Sequence, residues 1–225
     1  MHRLVARPAL LACLALVAAQ AQADTLDFLG FANGSRTVDF AVSAPNAAAS
    51  GFVSSGGLLS SLNGGPSFTA YCVDLYQSIS FSAPAYTDYN LAAPFAHTFA
   101  NANAYEDIGR LYSAGHAVDS ATTQSAFQIA LWEIAYETTG IYNLAAGAAR
   151  FSGGTAATSG ALSLASSWLS GLGSVTNAMA VHVLESPTRQ DMVFASPVPE
   201  PSTYALMAFG LLGVGFMARG RRRQH

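Results

Sequence analysis

The last twenty-eight residues cannot be folded into a globular core, so whatever this 225-residue chain builds must come from the residues before them. They run Val198-Pro199-Glu200-Pro201-Ser202, then an uncharged apolar stretch over 203–218, then an arginine-rich end over 219–225. Each proline lacks an amide donor and drives the residue before it toward extended geometry, which makes 198–202 an exposed strip that a processing enzyme can grip. A helix over Tyr204 to Met217 would reach only about 21 Å against the roughly 30 Å of a bilayer core. That length fits transient retention in a membrane better than a permanent span. Arg219, Arg221, Arg222 and Arg223 would hold the carboxyl end on the cytoplasmic side.

Extended spacer, short apolar segment and arginine knot together resemble the PEP-CTERM signal of Gram-negative bacteria that make extracellular polysaccharide. The resemblance implies export and processing by a membrane-embedded exosortase, with Val198, Pro199, Glu200 and Pro201 as the sorting motif, residues 203–218 in the inner membrane beforehand, and the cell surface or extracellular matrix as the destination. The opposite end agrees with export. Arg3 and Arg7 precede an apolar run, and Ala21-Gln22-Ala23 offers a small-x-small cleavage site, so 1–23 reads as a signal peptide. The expected division is signal 1–23, a globular domain over 24–196, and a sorting segment over 197–225.

Between Asp24 and Glu200 stand four arginines and thirteen carboxylates, a formal charge of −9, which excludes nucleic acid as a partner. All ten basic residues of the chain are arginine; there is no lysine. Of two cysteines, Cys13 lies in the signal, leaving Cys72 alone in an oxidising compartment. A lone thiol there has to be buried, occupied or reactive.

Alternation predicts strands over 25–31 and 36–42, joined as a hairpin through Asn33-Gly34, and a weaker pair over 51–62 broken at Gly56-Gly57 and closed by the turn 63–66. A further strand over 68–79 carries Cys72. Helical spacing predicts helices over 102–112 and 122–139, the second capped by Thr122 or Thr123 and stopped by Gly140, with a shorter helix near 162–169. Strands over 175–184 and 191–194 close the domain. The fold class expected is mainly β with packed helices.

Tyr71-Cys72-Val73-Asp74 on a strand, and Gln128-Ile129-Ala130-Leu131-Trp132 on the strongest helix, resemble the two halves of the thioester domain of bacterial surface adhesins. There a cysteine in a Tyr-Cys-hydrophobic-Asp strand is joined to the glutamine that heads a Gln-x-Ala-(Ile/Leu)-Trp motif. The resemblance covers roughly residues 70–137. It implies a β-barrel or sandwich-like domain and an internal crosslink between Cys72 and Gln128, with Gln124 as the alternative acyl donor because it follows a threonine. Thiol attack on the carboxamide expels ammonia and leaves an acyl group reactive toward amines and hydroxyls, provided water is kept away. A chain without lysine carries no ε-amine with which to consume that group.

The function expected is therefore covalent attachment of an exported protein to a nucleophile-bearing surface or polymer, a polysaccharide or a protein amine, in adhesion or biofilm. The alternative is a chemically inert structural or interaction protein of the polysaccharide matrix. A cysteine hydrolase using Cys72 with His97 or His116 ranks third, so the chain is not expected to be an enzyme. His97, His116 and His182 read as isolated structural residues. Asp74, Glu133 and Glu137 read as surface charges, any of which could accept a proton near the acyl group. No cofactor or metal is expected.

Overall fold

The computed structural model describes residues 23–81 and 85–198, together with Met207 and Leu211. The expected signal peptide, apart from Ala23, and the sorting segment beyond Val198 lie outside the described residues apart from those two. Among the described residues no helix is long and apolar enough to cross a membrane.

The chain is mainly β. Six strands close a barrel in the order β1, β4, β5, β9, β8, β6, where β1 is Asp24–Phe31, β4 Leu58–Leu62, β5 Ser67–Cys72, β6 Tyr86–Leu91, β8 Met179–Glu185 and β9 Met192–Pro197. A second sheet of three strands runs β3, β2, β7, with β2 Arg36–Val42, β3 Ala49–Ser55 and β7 Ala149–Ser152. Every pairing in both sheets is antiparallel.

Helix α2, Ala121–Tyr136, packs against strands of both sheets. Its residues from Gln124 to Tyr136 are all buried, so it has no polar face and belongs inside. On the barrel side Phe127 packs on Tyr71 of β5, with ring centroids 4.6 Å apart. Toward the three-stranded sheet Trp132 lies parallel to Phe151 of β7 at 6.0 Å. Helices α1 (Ala104–Ser113) and α4 (Ala161–Gly171) pack against it, and α3 (Gly154–Thr158) packs against β2 and α4. The N-terminus of α2 is capped by Ser120, whose hydroxyl accepts from Thr123 N while Thr123 returns the bond to Ser120 N. Thr123 is therefore the third helical residue and not the cap.

The helix stops at Tyr136, before Gly140. Glu137 turns extended and its carboxylate collects the amides of Thr138 and Ala148 and the Thr139 hydroxyl. These local acceptors replace the next helical turn.

The hairpin expected across Asn33-Gly34 does not form. β1 pairs with β4 and β6, while β2 pairs with β3 and β7, so the turn carries the chain from one sheet to the other. Gly34 takes a positive φ of 84°, and Asn33 donates its amide to Val118 O, a loop 85 residues away. Likewise β3 and β4 are separated at Gly56-Gly57 but join different sheets. The turn 63–66 closes β4 onto β5 instead. Gly57 is needed for close approach: a side chain there would collide with Gln124 Oε1 and Tyr71.

Candidate functional site

Strand β5 ends at Cys72, shorter than the strand expected through Ile79, because Asp74 accepts the amide of Tyr76 and turns the chain. Cys72 sits opposite Met192 at the start of β9 and is 7 % exposed. Across from it, α2 delivers Gln128, fully buried, whose carboxamide lies along the Cys72 backbone. Gln128 Oε1 accepts Cys72 N at 2.9 Å, and its Nε2 donates to Cys72 O at 2.8 Å. Two sequence motifs 56 residues apart thus meet side chain to backbone, and the Cys72 amide polarises the Gln128 carbonyl as an oxyanion-type donor would.

Gln124 does something different. Its Oε1 accepts from Gly57 N at 3.0 Å and the Tyr71 hydroxyl at 2.7 Å, and its Nε2 donates to Val118 O at 2.7 Å. That amide is committed to joining the Gly56-Gly57 connection before β4, strand β5 and the loop before α2.

Sequence reasoning missed Gln190. Cys72 Sγ donates to Gln190 Oε1 at 3.0 Å, Gln190 Nε2 donates to Asp74 O at 2.6 Å, and Tyr89 donates its hydroxyl to Gln190 O at 2.8 Å. Arg189-Gln190-Asp191 reads in sequence as a polar turn, and no spacing links it to a residue 118 positions earlier; only the pairing of β5 with β9 brings them together.

Burial, with the nearby Asp74 charge, pushes the Cys72 thiol far above its ordinary value, so the sulfur is held as a neutral thiol donating to an amide oxygen. Among the described residues it hydrogen-bonds to Gln190 and to no histidine. Tyr71, the preceding residue of β5, packs between Tyr112 and Phe127, and burial raises the pKa of both tyrosines. Cys72 and Gln128 are both buried, which suits an acyl group that must be kept from water.

The acidic residues expected at the surface are not there. Glu133 is 0 % exposed and Glu137 2 %. Glu133 Oε1 accepts Asn143 N at 2.7 Å while its Oε2, also buried, has no partner among the described residues, and burial pushes its pKa up to about 8. Asp74 is half-buried, and burial raises its pKa too.

Nor is His97 isolated. Its Nδ1 lies 2.6 Å from Glu185 Oε1 and 3.9 Å from Asp191 Oδ2. His116 stacks on Trp168 at 4.2 Å, and His182 bonds Ser196 while stacking on Phe194, so these two are structural.

A family model of the PEP-CTERM protein-sorting motif matches residues 197–223. The tail carries an exosortase sorting motif. It supports an exported protein that passes through the membrane and is processed by exosortase. No curated protein and no solved structure matches the chain.

Proposed function

We propose that the exported domain forms an internal thioester between Cys72 Sγ and Gln128 Cδ and uses it to attach covalently to a nucleophile-bearing surface or matrix polymer. The observation that carries this reading is the paired hydrogen bonding of the Gln128 carboxamide to both backbone groups of Cys72 in a buried site. In the step, the thiol sulfur bonds to Gln128 Cδ, the C–N bond breaks, and the amide nitrogen leaves as ammonia with the thiol proton. Attack by an amine or hydroxyl of the target then transfers the acyl group and returns the Cys72 thiol. The polysaccharide or protein amine of the target, the surface or matrix location and the adhesive role belong to this proposal.

Gln190 defines the competing reading, an inert matrix protein. Its amide accepts the thiol hydrogen and holds it in place, the behaviour of a satisfied core cysteine. Mass spectrometry after incubation with a small amine separates the two. The thioester reading expects one amine added to the parent and none to Cys72→Ala or Gln128→Ala, while Gln124→Ala still reacts. Adduct formation that depends on Gln124 and not on Gln128 would move the bond; no adduct on the parent would leave the inert reading.

A further inference from the structure

On the far side of Asp74 a cleft of about 210 Å³ is lined by Val73, Asp74, Gln77, His97, Tyr136 and Asp191 among others. Two potential ligands line it, His97 from the loop after β6 and Asp191 just before β9, and a third, Glu185 at the end of β8, lies beside them. Their donor atoms all lie within 4.8 Å of one another. We propose that His97, Glu185 and Asp191 form a binding site for a divalent transition metal of the zinc type, which ties the loop after β6 to the β8–β9 hairpin beside the Cys72 strand.

The donor set selects the ion. One imidazole nitrogen disfavours calcium and magnesium, which take oxygen ligands, and the absence of sulfur from the set disfavours copper(I). A tetrahedral ion about 2.1 Å from each donor holds them about 3.4 Å apart. The separations of 2.6 Å from His97 Nδ1 to Glu185 Oε1 and 3.9 Å to Asp191 Oδ2 straddle that figure, and the third pair of donors lies within 4.8 Å, so side-chain adjustment without backbone rearrangement seats the ion. Binding displaces the hydrogen now shared between His97 and Glu185.

Glu185 Oε1 and Asp191 Oδ2 remain able to ligate, because Asp191 spends its other oxygen, Oδ1, on Ser186 N at 2.8 Å. That bond aims the carboxylate, as outer partners do around bound metals. Gln77, whose Oε1 is buried and has no hydrogen-bond partner among the described residues, lines the same cleft, whose volume leaves room for a water as fourth ligand. The site does not depend on the thioester; its ligands include neither Cys72 nor Gln128.

The test uses the protein recovered after export, stripped with a chelator and then titrated with zinc. Retention of one zinc per chain after dialysis is expected. At zinc a hundredfold above Kd the Tm rises by about 5–10 °C. Both effects are lost in His97→Ala and Glu185→Gln and kept in Glu106→Gln, a carboxylate outside the cluster. Failure of the parent to retain zinc, or equal retention by the two cluster variants, overturns the site. Cobalt(II) in the parent gives a readout that needs no variant: strong visible absorption of a four- or five-coordinate nitrogen–oxygen site is expected, and the weak spectrum of an octahedral aquo ion refutes it.

Discussion

Glu133 gives the account its most quantitative test on stability. Its carboxylate is fully buried on α2, with one oxygen on Asn143 N and the other unpartnered among the described residues, and burial, seconded by the charge on Glu137, raises its pKa from an ordinary 4.5 to about 8. A raised carboxyl pKa means that the folded state holds a proton the unfolded state has released. The protein therefore has its full stability below pH 4.5 as far as this group is concerned, and loses it as pH climbs through 8. At 1.36 kcal/mol per unit, the loss across that window is at most about 5 kcal/mol. Glu133→Gln keeps an oxygen for Asn143 and cannot ionise, so it escapes the loss. The variant should match the parent near pH 4.5 and exceed it at pH 9 by up to about 10–20 °C in Tm. Asp191 and Asp74, whose pKa values are also raised by burial, slope the profile in the same sense but are common to both proteins. Thermal unfolding between pH 4.5 and 9 checks this. A variant whose Tm follows the parent at every pH, or falls below it at pH 9, refutes the assignment of a neutral Glu133.

Gln124→Ala should remove three hydrogen bonds, two of them buried, and leave Gly57 N and the Tyr71 hydroxyl without their acceptor, costing about 2–4 kcal/mol in chemical unfolding while leaving the amine adduct intact. If stability is unchanged, that network is not what joins the Gly56-Gly57 connection to α2. Replacing Pro199, Glu200 and Pro201 with alanine should leave export through the separate amino-terminal signal in place and trap the protein at the membrane with its arginine tail attached. Fractionation showing equal surface delivery of variant and parent would remove the sorting role of that motif. Cys72→Ala and Gln128→Ala, by opening a ring that encloses residues 72–128, should each lower stability by about 4 kcal/mol if the bond forms.

Helix α2 was readable because a run from Phe127 to Ala135 with a single charge has no solvent face to offer, and β2 because Val38, Phe40 and Val42 alternate inward. Pairing was not readable. Asn33-Gly34 has the chemistry of a hairpin turn, yet the partner of β1 is decided by closure of the barrel through β4 and β6, a long-range matter that no local window contains. Strand β6 was missed because only Tyr86 and Tyr89 face inward, a spacing of three that breaks the period of two. At the site, Cys72 and Gln128 were legible as motifs. Gln190 and the His97–Glu185–Asp191 cluster were not, since each depends on where the β8–β9 hairpin docks and not on spacing along the chain.

The central claim rests on one bond, and the intact mass of the folded, untreated protein tests it most directly. A Cys72–Gln128 thioester predicts a mass lighter by one ammonia than the processed sequence requires, with no thiol titratable after unfolding at low pH. The full sequence mass, with one thiol released on unfolding, would contradict it.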